Sequence, residues 1–242
     1  MFKNNLTDIL LYRWQQTLQP FGVDQVAMER AFAQLVAVYS ASHRHYHNLN
    51  HVNHVLEIIQ TLQTYAENVP AVELAAWFHD VVYEPQAKDN EEKSAEYADK
   101  LLSSLGIPSH YINNISRLIL KTKDHQADDH DIDSQVLLDA DLGILAAKPE
   151  QYQEYADAIR QEYSWLPTSE YMKARQQVLQ KFLQRPQIYF TPLMLEFAEL
   201  FARYNLKAEI HILSQSYSRE QHEENLHEQL LNPEENREQR EL

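Results

Sequence analysis

The stretch Val72–Asp80, with the sequence VELAAWFHD, decides the fold of this chain. Its apolar helical run ends at Trp77 and Phe78, directly before His79 and Asp80. A run this apolar indicates a core helix, so two side chains that are costly to bury lie where that helix meets its boundary. A bound divalent cation would offset the cost of burying these two side chains, because imidazole nitrogen and carboxylate oxygen are both common metal ligands. A His-Asp pair also occurs by chance, so the rest of the chain must supply further ligands.

Composition outside this stretch favours helices. Three glycines and nine prolines in 242 residues leave little material for the tight turns of an all-β fold. The length allows one domain or two. The absence of cysteine excludes disulfides, thiolate zinc sites and cysteine nucleophiles together. The sequence therefore predicts an all-α protein whose chemistry uses nitrogen and oxygen groups.

The net charge and the first residues of the chain limit the binding partners and the cellular location that we expect. The formal net charge of -15 argues against nucleic acid, whose binding depends on Lys and Arg. A small anionic substrate stays possible, because a metal and a few arginines can reverse the field inside one pocket. Lys3, Asp8 and Arg13 interrupt the apolar residues of the first segment, so we expect neither a signal peptide nor a membrane span, and a cytoplasmic protein.

Apolar residues at helical spacing predict helices along most of the chain. The predicted segments are 6–18, 24–39, 52–62, 70–80, 89–105, 108–121, 136–145, 149–164, 168–184 and 191 to about 215. No repeat or linker divides residues 1–215, which are interpreted as one helical domain. Residues 216–242, rich in Glu, Gln, Asn, Arg and His, are predicted to be either a solvated helix or a disordered acidic tail.

Two other segments offer metal ligands. His47, His51 and His54 lie four and three residues apart, so at least two of these imidazoles can point the same way on a helix. Asp139 and Asp141 lie two apart, about 200° around a helix, so only one of them can face a given site. With His79-Asp80, the chain offers two imidazoles and two carboxylates from three helices. Such a set suits Mn, Fe, Co, Zn or Mg and leaves positions open for water.

Four strings carry a resemblance to a known family: RHYHNLNHV at 44–52, WFHDVVY at 77–83, DNEEKS at 89–94 and LDADL at 138–142. Together they resemble the HD superfamily of metal-dependent phosphohydrolases, in the bacterial branch described only as predicted HD phosphohydrolases. The resemblance covers roughly residues 8–210. It implies a single-domain helical bundle of the HD-domain type that holds a divalent metal ion.

The resemblance also implies roles for particular residues. It implies four metal ligands: His51, His79, Asp80 and Asp141. Asp141 is preferred to Asp139 because the last ligand of the superfamily usually follows a small residue and precedes a Leu-rich turn. The segment from Tyr46 to His51 is similar to that of cyclic-nucleotide phosphodiesterases in the same superfamily, which implies that His47 is the general acid.

Five further residues could belong to the site, and each also has a purely structural interpretation. Glu92 is counted with His47 and Asp80 as catalytic, because it could orient the water; alternatively it only caps a helix. Three cations are candidates for contacting a substrate phosphate, the alternative being surface pairs with acids. These cations are Lys121, Arg160 and Arg175. His125 either extends the site or is a polar helix end.

The predicted function is hydrolysis of a phosphate ester of a nucleotide or similar small molecule by a metal-activated water. One alternative is a diiron oxygenase of the HD type, in which His47, His54 and His125 supply further ligands. Another is a nucleotide-binding sensor without catalysis. The expected partner is a small phosphorylated substrate, with neither nucleic acid nor membrane. Substrate identity and oligomeric state are not predicted.

Overall fold

The structure is a computed structural model that describes the backbone of residues 5–231 and the side chains of residues 5–218. Over this range the chain is helical and contains no strand, which confirms the predicted all-α class. The α-helices in this range are α1 (Leu6–Leu18), α2 (Gln25–Tyr39), α3 (Leu49–Leu62), α4 (Val69–Phe78), α5 (Asn90–Ser104), α6 (Ser109–Lys121), α7 (Ile132–Asp141), α8 (Pro149–Glu162), α9 (Thr168–Gln184), α10 (Pro192–Phe197) and α11 (Glu199–Leu231).

Helix α4 lies at the centre of the main core. From Ala71 to Phe78 every side chain except that of Glu73 is fully buried. The helix packs against α1, α3, α5, α6 and α7, so it contacts protein on all sides. Asn68 caps its first turn by accepting a hydrogen bond from the Ala71 N–H at 3.2 Å. A central helix of this kind leaves its polar groups at its ends, which is where His79 and Asp80 lie.

Aromatic contacts position the last turn of α4. The Trp77 ring meets Trp14 edge to face with ring centroids 5.3 Å apart, and Phe32 at 6.2 Å. The Tyr39 hydroxyl donates to the Trp77 carbonyl at 2.9 Å. Helices α1 and α2 therefore hold the last turn of α4 in place.

A 3₁₀ turn at Leu142–Ala146 leads from α7 into the second half of the chain. Gly143 in this turn passes close to α3, since a Cβ atom there would lie 2.1 Å from the Ile58 Cδ1 atom. The turn packs against α8 and α11, and α11 also packs against α9. These elements form a second apolar cluster, and its buried members include Leu145, Leu179, Tyr189 and Leu206.

The predicted helix from 191 to about 215 is two helices, α10 and α11, separated at Ala198. Helix α11 continues to Leu231, so the backbone of the first part of the predicted tail is helical. Residues 232–242 of that tail lie outside the described residues. Among the described helices, none has the length and apolar character that a membrane crossing requires.

Candidate metal centre

Three helices bring two imidazoles and two carboxylates together. His51 lies in the first turn of α3, His79 and Asp80 follow α4, and Asp141 ends α7. The His51 Nε2 and His79 Nε2 atoms are 3.0 Å apart, and each lies within 3.4 Å of the Asp141 Oδ1 atom. His51, His79 and Asp141 form a group that could hold a metal ion.

Asp80 lies against the same group. Its Oδ2 atom is 3.0 Å from His79 Nε2 and 3.4 Å from His51 Nε2. Each of the two carboxylates that the sequence suggested as ligands thus lies within 3.4 Å of both histidine nitrogens. The helix ends explain this arrangement, because α4 stops at Phe78 and turns His79 and Asp80 towards α3 and α7.

Hydrogen bonds determine which nitrogen of His79 faces the site. Its Nδ1 atom lies 2.9 Å from the Ala76 carbonyl oxygen, which can only accept, so Nδ1 carries the proton that is donated there. The Nε2 atom is therefore the one directed at the other ligands. His51 differs, because its buried Nδ1 has no hydrogen-bond partner among the described residues.

The charges of the group are strongly coupled. Burial disfavours the ionised form of Asp80 and Asp141, but the surrounding histidines, His79 foremost, outweigh it and hold the pKa of each carboxyl well below its usual range. Burial likewise lowers the pKa of His79, and the two carboxylates outweigh it and raise that pKa well above its usual value. Two ionised carboxylates in a largely buried site supply the negative charge that attracts a divalent cation.

The two aspartates near the end of α7, Asp139 and Asp141, face different parts of the protein. Asp139 is fully buried and faces the segment before α10, where its Oδ1 accepts from the Phe190 N–H at 2.8 Å. Its Oδ2 accepts from the N–H and hydroxyl of Thr191, both at 2.7 Å. Burial raises the pKa of Asp139 to about 6, although these hydrogen bonds act to lower it. Asp139 thus fastens two parts of the chain, while Asp141 faces the histidines.

His47 lies beside the group in the turn before α3. Its Nδ1 is 2.6 Å from the Glu162 Oε2 atom, and its Nε2 is 4.0 Å from the Asp80 Oδ2 atom. Its ring stacks on Tyr83 with centroids 4.0 Å apart. Glu162 also accepts from the backbone N–H groups of Tyr46 at 2.7 Å and of His47 at 3.0 Å. This buried carboxylate therefore holds His47 by two hydrogen bonds and the preceding Tyr46 by a third.

Glu162 gives a pH-dependent prediction. Burial alone would raise its pKa, but the hydrogen bonds from His47 and Tyr46 lower the pKa to about 2. Because this pKa is lower in the folded state than in the unfolded chain, where it is about 4.5, the ionised carboxylate stabilises the fold at any pH above about 4.5. The contribution is up to about 3 kcal/mol, and it is lost as the pH falls from about 4.5 to 2. Glu162→Gln should therefore unfold at lower urea concentration than the wild type at pH 7. The difference between the two midpoints should shrink below pH 4.

The matched control is Glu154→Gln, an exposed acid on the same helix. Its urea midpoint should stay close to that of the wild type at every pH. A Glu162→Gln difference that is constant between pH 7 and pH 3 would contradict the assigned role of the ionised carboxylate.

Two arginines that the sequence did not single out support the site. Arg44 is 7% exposed and donates to the carbonyls of His47 at 3.0 Å, Asp80 at 2.6 Å and Val81 at 2.8 Å. Arg44 therefore connects two parts of the site, the turn in which His47 lies and the C-terminal end of α4. Arg44 begins the string at 44–52, but the sequence gives it no role there that would distinguish it from a surface arginine.

The second arginine orders His125. Arg185 donates to the carbonyls of Asp124 and His125, both at 2.8 Å. His125 has a φ of 51°, in the left-handed region that costs a side-chain-bearing residue about 1–2 kcal/mol. In this conformation its Nε2 lies 2.9 Å from the Asp141 Oδ2 atom. His125 is thus part of the site rather than only a polar helix end.

A pocket of about 210 Å³ opens beside the group. Its lining includes His47, His79, Asp80, Tyr83, Glu91, His125, Asp141, Arg175 and Phe182. His54 lies instead on a neighbouring cavity of about 280 Å³, and its Nε2 atom has no hydrogen-bond partner among the described residues. The pocket gives small molecules access to the Asp80 side of the group.

Arg175 is the one predicted phosphate contact that reaches this pocket. Its guanidinium is already paired with Glu209, through Nε to Oε1 at 2.8 Å and through an Nη to Oε2 at 3.1 Å. The Tyr152 hydroxyl donates to the same carboxylate at 2.6 Å. The charge of Arg175 is therefore largely compensated inside the protein.

The other predicted contacts lie elsewhere. Exposed Glu92 pairs with Lys123, and it is Glu91 that lines the pocket, because one step along a helix turns a side chain by about 100°. Lys121 pairs with Asp128 at 3.6 Å. These positions do not support the expected roles of Glu92 in orienting water and of Lys121 in binding phosphate.

Arg160 is also satisfied away from the pocket. It donates to the carbonyls of Tyr163 at 2.7 Å and Leu166 at 3.2 Å, and its guanidinium lies over the Tyr171 ring. It therefore orders the connection between α8 and α9, and this position does not support the expected contact with substrate.

Comparison of the sequence with protein-family models and with curated proteins gives no match. The chemistry of this chain has therefore to be inferred from the side chains that meet at the ends of α3, α4 and α7.

Proposed function

We propose that this chain is a metal-dependent phosphohydrolase with a helical bundle of the HD-domain type. The observation that carries the proposal is that the imidazole nitrogens of His51 and His79 lie 3.0 Å apart, and that each lies 3.0–3.4 Å from one oxygen of Asp80 and one oxygen of Asp141. A pocket that also contains His47 lies beside them. The resemblance of the four sequence strings to that superfamily supports the same reading.

The donor set fits a divalent metal ion. His51, His79, Asp80 and Asp141 are the proposed ligands, and nitrogen with oxygen donors suits Mn, Co, Mg, Fe or Zn. The hydrogen bond from His79 Nδ1 to a backbone carbonyl is the outer contact that metal-binding histidines usually make. When bound, such an ion lowers the pKa of a coordinated water towards roughly 7 to 9 and neutralises a phosphoryl oxygen.

His47 is the proposed general acid. Its Nδ1 is held by Glu162, so its Nε2 is the nitrogen that points to the Asp80 side of the pocket. A histidine fixed in this way can deliver the Nε2 proton to the oxygen of the departing alcohol, a contribution of about 10² to 10⁴ in rate. Glu162 acts through His47 and is proposed as a positioning residue.

The pocket favours a small substrate. Its volume of about 210 Å³ lies below the roughly 300–1,000 Å³ of typical ligand sites. A small phosphate ester fits this space, whereas the base of a nucleotide would extend out of it. Because Glu209 neutralises Arg175, the charge of the phosphate would be met chiefly by the metal and His47.

One observation favours a second candidate function. His125 bonds to the second oxygen of Asp141, the one that does not contact His51 and His79. His125 and Asp141 would therefore help to hold a second ion, as an HD-type oxygenase with two irons would require. A nucleotide sensor without catalysis has no comparable observation in its favour.

The test is phosphate release from a panel of small monoesters, diesters and nucleotides, each with Mn, Co, Mg, Zn and Fe(II). We expect metal-dependent hydrolysis that a chelator abolishes and that prefers small esters. His47→Gln should lower kcat about 100-fold or more while metal content is kept. His43→Gln, an exposed histidine in the same segment, is the matched control and should keep full activity.

Two results would overturn the proposal. Release from no ester with any metal, together with tight nucleotide binding, would indicate the sensor. Two irons per chain after anaerobic purification, with oxygen consumption and no hydrolysis, would indicate the oxygenase.

A further inference from the structure

Helices α10 and α11 present an exposed apolar face that the proposed reaction does not use. Its members are Phe197, Leu200, Phe201, Tyr204 and Ile212, and each is between 52% and 77% exposed. Phe197 ends α10, and the other four lie on α11, where their spacing places them within about 120° on one side of the helix. The opposite side of α11 packs into the protein through Ala202 and Leu206. We call this set the α10–α11 face.

A groove borders this face. It has a volume of about 720 Å³ and is lined by the segment 146–149, by Asn205 and by four members of the face. Of the residues that line it, only Lys148 is charged. The face therefore offers both a row of protruding side chains and an adjacent apolar depression that could receive such a row.

The size of the face matches one half of a stable interface. Five large apolar side chains at these exposures present on the order of 600 Å². An apolar patch of this size on a single chain is at the upper end of what monomeric proteins expose. Two copies together would cover about 1,200 Å² from these side chains alone, which reaches the range of specific protein interfaces.

We propose that the α10–α11 face pairs with the same face of a second copy of this chain. A two-fold axis would set the two α11 helices antiparallel, so that Leu200 and Phe201 of each copy enter the groove of the other. The near absence of charge in the groove lets two chains of net charge -15 approach here without bringing carboxylates together. This inference does not depend on the proposed hydrolase function.

Sedimentation equilibrium of the full chain tests the pairing. At about 10 to 100 µM the wild type should have twice the mass of one chain. Leu200→Glu and Phe201→Glu, tested separately, should each weaken the dimer at least 100-fold, because two unpaired carboxylates would be buried at the axis. Both variants should keep the helical circular dichroism spectrum, since these side chains are exposed in the single chain.

The matched control is Val26→Glu, which changes an apolar side chain of 54% exposure on α2. This variant should remain a dimer. A monomeric wild type at 100 µM, or a Leu200→Glu variant that dimerises as tightly as the wild type, would overturn the proposal and leave the face to another partner.

A second measurement uses the absence of cysteine in this chain. Single cysteines at Phe197, Phe201 and Tyr204 should give a disulfide-linked dimer on mild oxidation at one or more of these positions. A cysteine at Val26 should give none. Equal cross-linking at all four positions would indicate random collision and contradict the proposed pairing.

Discussion

Replacing Asp80 with alanine is expected to abolish metal binding and phosphate-ester hydrolysis together. The Asp80 Oδ2 atom lies 3.0 and 3.4 Å from the two histidine nitrogens, so the variant removes one donor of four and one of the two negative charges. Even outer contacts of metal ligands change affinity about 10- to 100-fold, and a direct ligand should exceed this. Hydrolysis should fall on the order of 10³-fold or more, because both charge neutralisation and water activation depend on the metal.

The fold should survive this change. Asp80 follows α4 rather than packing within it, and Arg44 bonds to its backbone carbonyl, which alanine retains. We therefore expect a helical circular dichroism spectrum close to that of the wild type. Metal content by atomic emission and phosphate release should be measured on the same preparation, so that loss of the ion is separated from loss of catalysis.

Asp89→Ala is the matched control. Asp89 is an exposed aspartate nine residues on, paired with Lys93 at 2.9 Å. Its removal should leave metal content and activity unchanged. Activity that survives in Asp80→Ala would show that the site is wrongly assigned. If Asp80→Ala loses the metal but the wild type hydrolyses no ester, the assigned metal centre would stand and only the proposed hydrolase activity would be refuted.

Trp77→Ala should cause the largest loss of stability among single changes to α4. Trp77 is fully buried and packs against Trp14 and Phe32 in the main core. Truncating a buried tryptophan removes its apolar contacts and leaves a cavity, at a cost of about 3–5 kcal/mol. Since small domains are stable by only about 5–15 kcal/mol, urea unfolding followed by circular dichroism should show a greatly lowered midpoint.

Trp165→Ala provides the same substitution on the surface. Trp165 is 47% exposed, so its removal should change the free energy of unfolding by about 1 kcal/mol or less. Both variants should be compared with the wild type at one protein concentration, because association changes apparent stability. Equal losses for the two tryptophans would contradict the central position of α4.

Helical periodicity was sufficient for most of the elements. The predicted segments at 6–18 and 168–184 coincide with α1 and α9, since apolar spacing and a proline boundary are local signals. The separation of Asp139 from Asp141 also followed from helix geometry alone. Only one of the two meets the histidines, as a spacing of two residues requires.

Pairings between distant residues could not be predicted. Glu162 holds His47 across 115 residues of sequence, and Arg44 reaches the end of α4 across 36. Glu162 belongs to no local pattern, and the string at 44–52 that begins with Arg44 does not indicate a bond to the end of α4. For Lys121 and Arg160 the sequence left two possibilities open, contact with a phosphate or pairing within the protein, and in the structure both cations have partners within the protein.

Three features can be predicted from the sequence: the helical class, the central core helix and the small set of histidines and aspartates that could bind a metal. These follow from composition and from periodicities shorter than one helix. The tertiary structure alone shows that His51 lies against His79, that Glu162 bonds to His47, and that Arg175 is already neutralised by Glu209. Each of these depends on how helices far apart in the chain pack, and packing places side chains in directions that no local spacing specifies.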